Sequence, residues 1–231
     1  MTNYALASST WDENEYRAIQ KVIDSDMFTM GAKVAQYEKN FAEFFGSEYA
    51  LMVSSGSTAN LLMIASLFFT KNLDLKLKRG DEVIVPAVSW STTYFPLQQY
   101  GLKVKFVDID SETLNIDLDK LSDAITDKTR VIFTVNLLGN PNNFNRINEI
   151  IADKNIFILE DNCESMGATL DGKQADLSDN DLQRRNTIAK LLSDWGLVKI
   201  IDNTKFTELA PLSQIKVIAH KDKHEWDLQT K

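Results

Sequence analysis

Along the first 175 positions, apolar residues recur with helical spacing in some segments and as short strand-length runs in others. Tyr16, Ile19, Val22 and Ile23 fall at helical spacing and predict a helix over about residues 13–25. Val34, Tyr37, Phe41 and Phe44 repeat the spacing in a second helix, with Gly46 as its stop. Residues 49–53 form an apolar run of strand length, and Ser54 to Ser57 turn the chain. Residues 58–69 are apolar nearly all round, which predicts a buried helix. Residues 82–85 read as a strand closed by Pro86, and residues 91–100 as a helix interrupted by Pro96. Residues 103–107 form the next strand, and Asp117 caps a helix that reaches about Ala124. A strand over 130–135 leads into the turn Gly139-Asn140-Pro141. Phe144, Ile147, Ile150 and Ile151 mark a helix, and residues 156–159 a strand that ends in Glu160-Asp161. Strands separated by crossover helices build a mostly parallel sheet covered on both faces, so the expected fold is α/β in three layers, α/β/α.

Composition narrows the function classes. The chain has 231 residues and a formal net charge of −8. Phosphate contacts need clustered Lys and Arg, so the acidic balance argues against nucleic acid as a partner. Cys163 is the single cysteine, which excludes an internal disulfide and any multi-cysteine zinc site. The first ten residues carry neither a basic region nor an apolar run, so no signal peptide is expected. The longest apolar stretch, residues 61–69, is too short to span a bilayer. No membrane partner is expected, and the expected location is the cytoplasm.

A change of composition near Ala175 divides the chain. Residues 1–175 hold 16 Lys and Arg against 24 Asp and Glu, whereas residues 176–231 hold 9 of each. Eight of the nine glycines precede the change, and both histidines follow it. Residues 176–181 are polar and turn-prone and suit a boundary. Beyond them Ile188, Leu191, Leu192 and Trp195 predict an amphipathic helix ended by Gly196, and residues 197–201 are strand-like. Two domains are expected, 1–175 and 176–231.

Three stations at strand ends carry candidate chemistry. The first is Ser54-Ser55-Gly56-Ser57-Thr58-Ala59-Asn60, between a strand-like run and a buried helix. Unpaired N–H groups at such a helix start suit a phosphate, and Gly56 lets a ligand approach the backbone. An ordinary serine-rich helix cap accounts for the same residues equally well, and no Gly-Lys-Ser/Thr follows to make a Walker loop. The second station is Pro86-Ala87-Val88-Ser89-Trp90-Ser91-Thr92-Thr93, where Trp90 can stack on a flat cofactor or anchor the loop to the core. The third is Glu160-Asp161-Asn162-Cys163-Glu164-Ser165. A carboxylate there favours a protonated pyridine ring by opposite-charge stabilisation. Mg²⁺ on Asp161 and Glu164, or a helix cap by Asp161, are the competing readings. Cys163 has no histidine near it in sequence to activate it and is expected to be a buried small residue. A phosphate cradle, a stacking aromatic and an acid on successive strand ends together describe a pyridoxal phosphate site.

These stations also carry a resemblance. Ser-Ser-Gly-Ser-Thr-Ala-Asn, Leu138-Gly139-Asn140-Pro141, Glu160-Asp161-Asn162-Cys163-Glu164, Met27-Phe28-Thr29-Met30-Gly31 and Val88-Ser89-Trp90-Ser91-Thr92-Thr93-Tyr94 resemble the DegT/DnrJ/EryC1/StrS sugar aminotransferase family, within it the 3-dehydratase branch. The resemblance covers residues 1 to about 175. It implies the large domain of a fold-type I protein that uses pyridoxal phosphate or pyridoxamine phosphate. Gly56 and Ser57 would hold the cofactor phosphate, Trp90 would stack on the ring, Asp161 would pair with the ring nitrogen, and Glu164 would lie beside the ring. The implied partners are a nucleotide-linked 4-keto-6-deoxyhexose and glutamate, in deoxysugar and lipopolysaccharide O-antigen biosynthesis, with a homodimer possible. In that branch the cofactor amine condenses with the sugar ketone, a base removes a cofactor proton, and the C3 hydroxyl leaves.

After Gly167-Ala168-Thr169-Leu170-Asp171-Gly172-Lys173 the likeness stops. The family's Gly-, Ser- and Phe-rich strand pair, which brings a phosphate-binding serine and the catalytic base, a Schiff-base lysine in ordinary members and a histidine in the dehydratase branch, is not recognisable, and neither is its smaller C-terminal domain. Lys190 matches the base only in its distance from Asp161, inside a segment that reads as a helix. His220 and His224 are four residues apart and could ligate a metal, but no Glu lies between them in a zincin pattern. Hence no catalytic residue and no metal ligand are assigned. The large domain reads as incomplete, and the chain as inactive alone: a cofactor- or partner-binding module, a remnant, or a fusion.

Overall fold

The computed structural model describes residues 9–152, 154–170, 173–174, 215–219 and 226–230. The chain's contacts fall into two compact units, one of Met1–Tyr37 with Ile201–Lys231, the other Glu38–Ile200. The expected boundary near residue 175, the helix around Ile188–Trp195, the strand at 197–201, Lys190 and both histidines lie outside the described residues.

In the first unit, α1 (Glu13–Asp24) starts at a capping box: the Asp12 carboxylate accepts from Asn14 N–H, and Glu15 reaches back to the Asp12 N–H. The helix forms where its apolar spacing predicts, yet it buries none of its residues, and Tyr16, Ile19 and Ile23 stay exposed. Two strands here were not anticipated: β7 (Ile215–Ala219) and β8 (Trp226–Thr230) pair antiparallel, Ile215 opposite Thr230.

The second unit holds the parallel sheet. Its strands are β1 (Glu82–Pro86), β2 (Lys103–Val107), β3 (Thr129–Val135) and β4 (Phe157–Asp161), in the order β2-β1-β3-β4, all parallel. Crossover helices α4 (Ser91–Gln99), α5 (Leu118–Ala124) and α6 (Phe144–Ile151) join them in turn. Alternation along the strands feeds two cores. Val83, Val85, Val131, Phe133 and Leu159 face Ile64 and Leu67 of α3 (Gly56–Phe69) and Leu97 of α4. Ile84 and Ile132 face Leu121 of α5 with Phe144, Ile147 and Ile151 of α6. The three-layer α/β/α expectation therefore holds: side chains of period two fill both faces of a sheet whose strands need crossovers to run parallel.

Several local expectations need correction. Residues 49–53 form no strand. A strand exists through its ladder partner, and none pairs with this run among the described residues; the Met52 N–H donates instead to the Glu38 carboxylate of α2 (Ala32–Phe45) at 2.8 Å. Pro96 does not interrupt α4. It sits buried inside the helix, and the chain continues to Gln99, with Tyr100 N–H bonded back to Pro96 C=O. The buried helix begins earlier than its apolar run, at Gly56, because Ser55 and Thr58 form a reciprocal cap. The turn before Pro141 is a 3-10 turn over Leu137–Gly139, with Leu138 at φ +53° and Gly139 at φ +84°. A two-residue pair, β5 (Thr169–Leu170) with β6 (Lys173–Gln174), follows β4.

Candidate functional site

The site is built on the carboxyl ends of β1 and β4 and the amino ends of α3 and α4. The end of β4 puts Asp161 below the start of both helices. Asp161 is buried, with 8% of its surface exposed. Asn60, one turn into α3, donates its amide to Asp161 Oδ2 at 2.9 Å, and Thr93, in the first turn of α4, donates its hydroxyl to the same oxygen at 2.9 Å. The Cys163 N–H approaches Oδ1 at 3.3 Å. Thr93 has one hydroxyl proton and gives it to the carboxylate. The 3.0 Å contact between Ser89 and Thr93 must therefore have Ser89 as donor. Buried polar groups need such partners, and the Asn60 amide and the Thr93 hydroxyl both find theirs in Asp161.

At the start of α3 the capping pattern decides which backbone donors stay open. Ser55 Oγ takes the Thr58 N–H, and Ala59 N–H already bonds to Ser55 C=O. Gly56 and Ser57 are the first two helical residues, exposed, with no intrahelical partner for their N–H groups. A Cβ placed on Gly56 would meet nothing within 4 Å, so the space above the helix start is open. The helix start thus presents two open backbone donors with room above them.

Trp90 is the N-cap residue of α4 and is 74% exposed, so its ring is free to stack rather than locked in the core. Its carbonyl accepts from Thr93 N–H at 3.0 Å, and Thr93 in turn holds Asp161. One turn of helix thus links the expected stacking residue to the expected acid. Glu164 is exposed. Its carboxylate accepts from the Leu138 N–H at 2.6 Å, and its carbonyl sits 3.2 Å from where a Cβ on Gly139 would be. It ties the turn after β3 to the loop after β4. Asn136 reinforces that tie by bonding Glu160 and Asn162, while Asn142 bonds Asn136.

Cys163 is exposed rather than buried. Desolvation, then the hydrogen bond with Asp161 and the charges of Asp161 and Glu164, push its thiol up to about 12, which leaves it a poor nucleophile. The Mg²⁺ reading loses support, since the Asp161 oxygens and Glu164 Oε2 face donor hydrogens. No group of three or more metal-ligating side chains occurs among the described residues, and no described helix is long and apolar enough to cross a membrane.

The five residues expected from sequence lie around one end of the sheet. Asn60, Thr93 and Ser89 were not anticipated. Asn60 is the one amide in the apolar helix of 58–69, beside the smaller hydroxyls of Thr58 and Ser66, and that was its available signal, since a buried amide must find a partner.

Known proteins supply an independent comparison. Residues 9–179 match the model of the DegT/DnrJ/EryC1/StrS aminotransferase family. The chain is 74% identical over 175 residues to GDP-4-keto-6-deoxy-D-mannose 3-dehydratase of Yersinia pseudotuberculosis, covering 76% of this chain and 44% of that protein. It is 35% identical over 160 residues to the lipopolysaccharide biosynthesis protein RfbH of Salmonella typhimurium, covering 68% and 37%. The Escherichia coli GDP-4-keto-6-deoxy-D-mannose-3-dehydratase with bound hydrated PLP superposes with a TM-score of 0.72 at 70% identity, over 75% of this chain and 44% of that one. The chain thus spans less than half the length of these relatives. With most of its length inside the family model and its sheet matching a solved member, the chain belongs to the DegT/DnrJ/EryC1/StrS aminotransferase family.

Proposed function

We propose that residues up to about 175 form the cofactor half of a 3-dehydratase site, and that this chain by itself holds pyridoxal phosphate or pyridoxamine phosphate without completing the reaction. The observation that carries the reading is the Asp161 carboxylate, set by Asn60 and Thr93 beside an open helix start and an exposed Trp90.

When bound, the cofactor supplies an electron sink through its protonated pyridine ring. The chain's own residues do the rest. Gly56 and Ser57 offer backbone N–H groups, and Ser57 its hydroxyl, to the phosphate. Trp90 lends a ring face for stacking. Asp161 keeps the proton on the ring nitrogen, and its two buried donors keep that carboxylate from turning away. Glu164 acts by holding the turn at Leu138 rather than by moving a proton. A nucleotide-linked 4-keto-6-deoxyhexose and glutamate are the substrates that suit this half-site, in cytoplasmic deoxysugar synthesis for lipopolysaccharide, with a homodimer completing the walls. The high identity to a 3-dehydratase supports that assignment.

No histidine occurs before residue 220, so the matched region lacks the histidine base implied by the 3-dehydratase branch. Without a positioned base the proton-transfer step loses about 10²–10⁴-fold in rate.

Pyridoxamine phosphate, which cannot label lysine, should bind the purified chain saturably. Trp90→Ala, a change at an exposed ring, should weaken that binding and leave the urea midpoint in place. With pyridoxal phosphate, borohydride should fix no stoichiometric lysine adduct. Absence of saturable binding would overturn the cofactor reading; turnover of the sugar nucleotide by the chain alone would overturn its catalytic incompleteness.

A further inference from the structure

At the opposite end of the sheet from Asp161, the segments entering β1, β2 and β3 surround an open pocket of about 690 Å³. Lys76, Lys78, Arg79, Lys103, Lys128 and Arg130 line it, against two carboxylates, Asp81 and Asp127. Six cations and two anions leave a local net of four positive charges, in a chain whose net is −8. None of the six forms an ion pair within 4 Å among the described residues; the five ion pairs found there lie elsewhere. Asp81 is engaged by its own turn, where its carboxylate accepts the Lys78 N–H at 2.9 Å.

One of the cations is held in place, and another has room made for it. Arg130 donates from Nη2 to the Asp74 carbonyl at 2.9 Å and lies 5.7 Å from the centre of the Phe157 ring. Its Nε is buried and has no partner. Arg79 lies against Gly101, at φ +71°, where a Cβ would come within 2.7 Å of Arg79 Nη1. Gly101 therefore leaves the room that Arg79 occupies. An excess of like charges repels itself, and a pre-positioned arginine fork suits phosphate oxygens.

We propose that this pocket binds a small oligophosphate, either free or as the phosphate tail of a nucleotide. Four net charges call for more than one carboxylate. The volume suits a small molecule. The overall negative charge opposes an extended polyanion such as RNA.

Isothermal titration calorimetry of the full chain with inorganic tripolyphosphate at low salt tests this, with pyridoxamine phosphate present to fill the other phosphate site. Saturable binding at one site that weakens as salt rises is expected. Lys76→Gln with Lys103→Gln, both at exposed positions, should weaken it at least about tenfold while leaving the urea midpoint and pyridoxamine phosphate binding unchanged. Adenosine and guanosine triphosphates serve as the second arm. Equal affinity to tripolyphosphate assigns the site to phosphate alone, and tighter binding assigns it to a nucleotide. No saturable heat up to about 1 mM, a range in which binding free energy is only about 4 kcal/mol, would overturn the proposal. So would a double variant that binds as well as the original. Because pyridoxamine phosphate binding is read separately, loss of one site is distinguishable from loss of the other.

Discussion

Removing the Thr93 hydroxyl tests whether the Asp161 carboxylate is truly clamped. Thr93→Val keeps the side chain's shape but deletes the donor 2.9 Å from Asp161 Oδ2. Thr93 is fully buried, so water cannot replace the lost proton without opening the packing between α4 and β4. A hydrogen bond to a charged group contributes about 1.5–3 kcal/mol, and the Ser89 hydroxyl loses its acceptor in the same change. The expected loss of stability is therefore about 2 kcal/mol, a factor of roughly 30 in the folding equilibrium. With a urea slope near 2 kcal/mol per molar, the midpoint should fall by about 1 M. A double-mutant cycle isolates the pair. In an Asp161→Ala background the Thr93 hydroxyl has already lost its acceptor, so Thr93→Val should cost far less there, with a coupling of at least about 1.5 kcal/mol. A coupling below about 0.5 kcal/mol would show that the two groups do not interact, and the clamp argument would fail with it.

Three further outcomes follow from local geometry. Cys163, pushed up to about 12 from an ordinary 9.0, should react with a disulfide reagent at pH 8 far more slowly than a free thiol. About three decades less thiolate, offset by roughly 1.4 decades of greater nucleophilicity in a more basic sulfur, leaves it about fiftyfold slower, and urea should restore the rate; fast reaction in the folded chain would refute the cause assigned. Gly139→Ala puts a Cβ at φ +84° and 3.2 Å from the Glu164 carbonyl, so a loss of about 1–2 kcal/mol is expected by urea titration, and a neutral result would mean that the turn relaxes freely. For Glu82, burial pushes the carboxyl up, but hydrogen bonds from Thr129 and Thr126 and the charges of Lys105 and Lys128 outweigh it and hold the group below its usual 4.5. Its folded value is depressed, so its contribution is present above the unfolded value and disappears as pH falls through the folded one. The urea midpoint of Glu82→Gln should accordingly be less sensitive to pH between 6 and 3 than that of the parent chain.

Much of the sheet was legible in the linear order of residues. β1, β3 and β4 are runs of Val, Ile, Leu and Phe bounded by polar turns, and α6 shows its apolar face at helical spacing, because each of these patterns reports burial that the local element imposes. Trp90, Asp161 and Glu164 stood out as polar or aromatic groups placed after strand ends, and Gly56 and Ser57 as a turn that opens a buried helix. Trp90, Asp161 and Glu164 share one end of the sheet because parallel strands bring their carboxyl ends to one side, and the start of α3 joins them through the bond from Asn60 to Asp161.

Other features are decided by neighbours distant in the chain. Residues 49–53 have strand composition but no ladder partner, and Cys163 looked like core yet lies on an exposed loop. Asn60 and Thr93 reach Asp161 across 101 and 68 residues, and Lys103, Lys128 and Arg130 join Lys76, Lys78 and Arg79 only through strand order β2-β1-β3. Periodicity records which face of an element meets the interior. It carries no information about which particular residue waits on the other side, because that depends on how elements far apart in the chain are brought together, and this is where the clamp on Asp161 and the basic pocket arise.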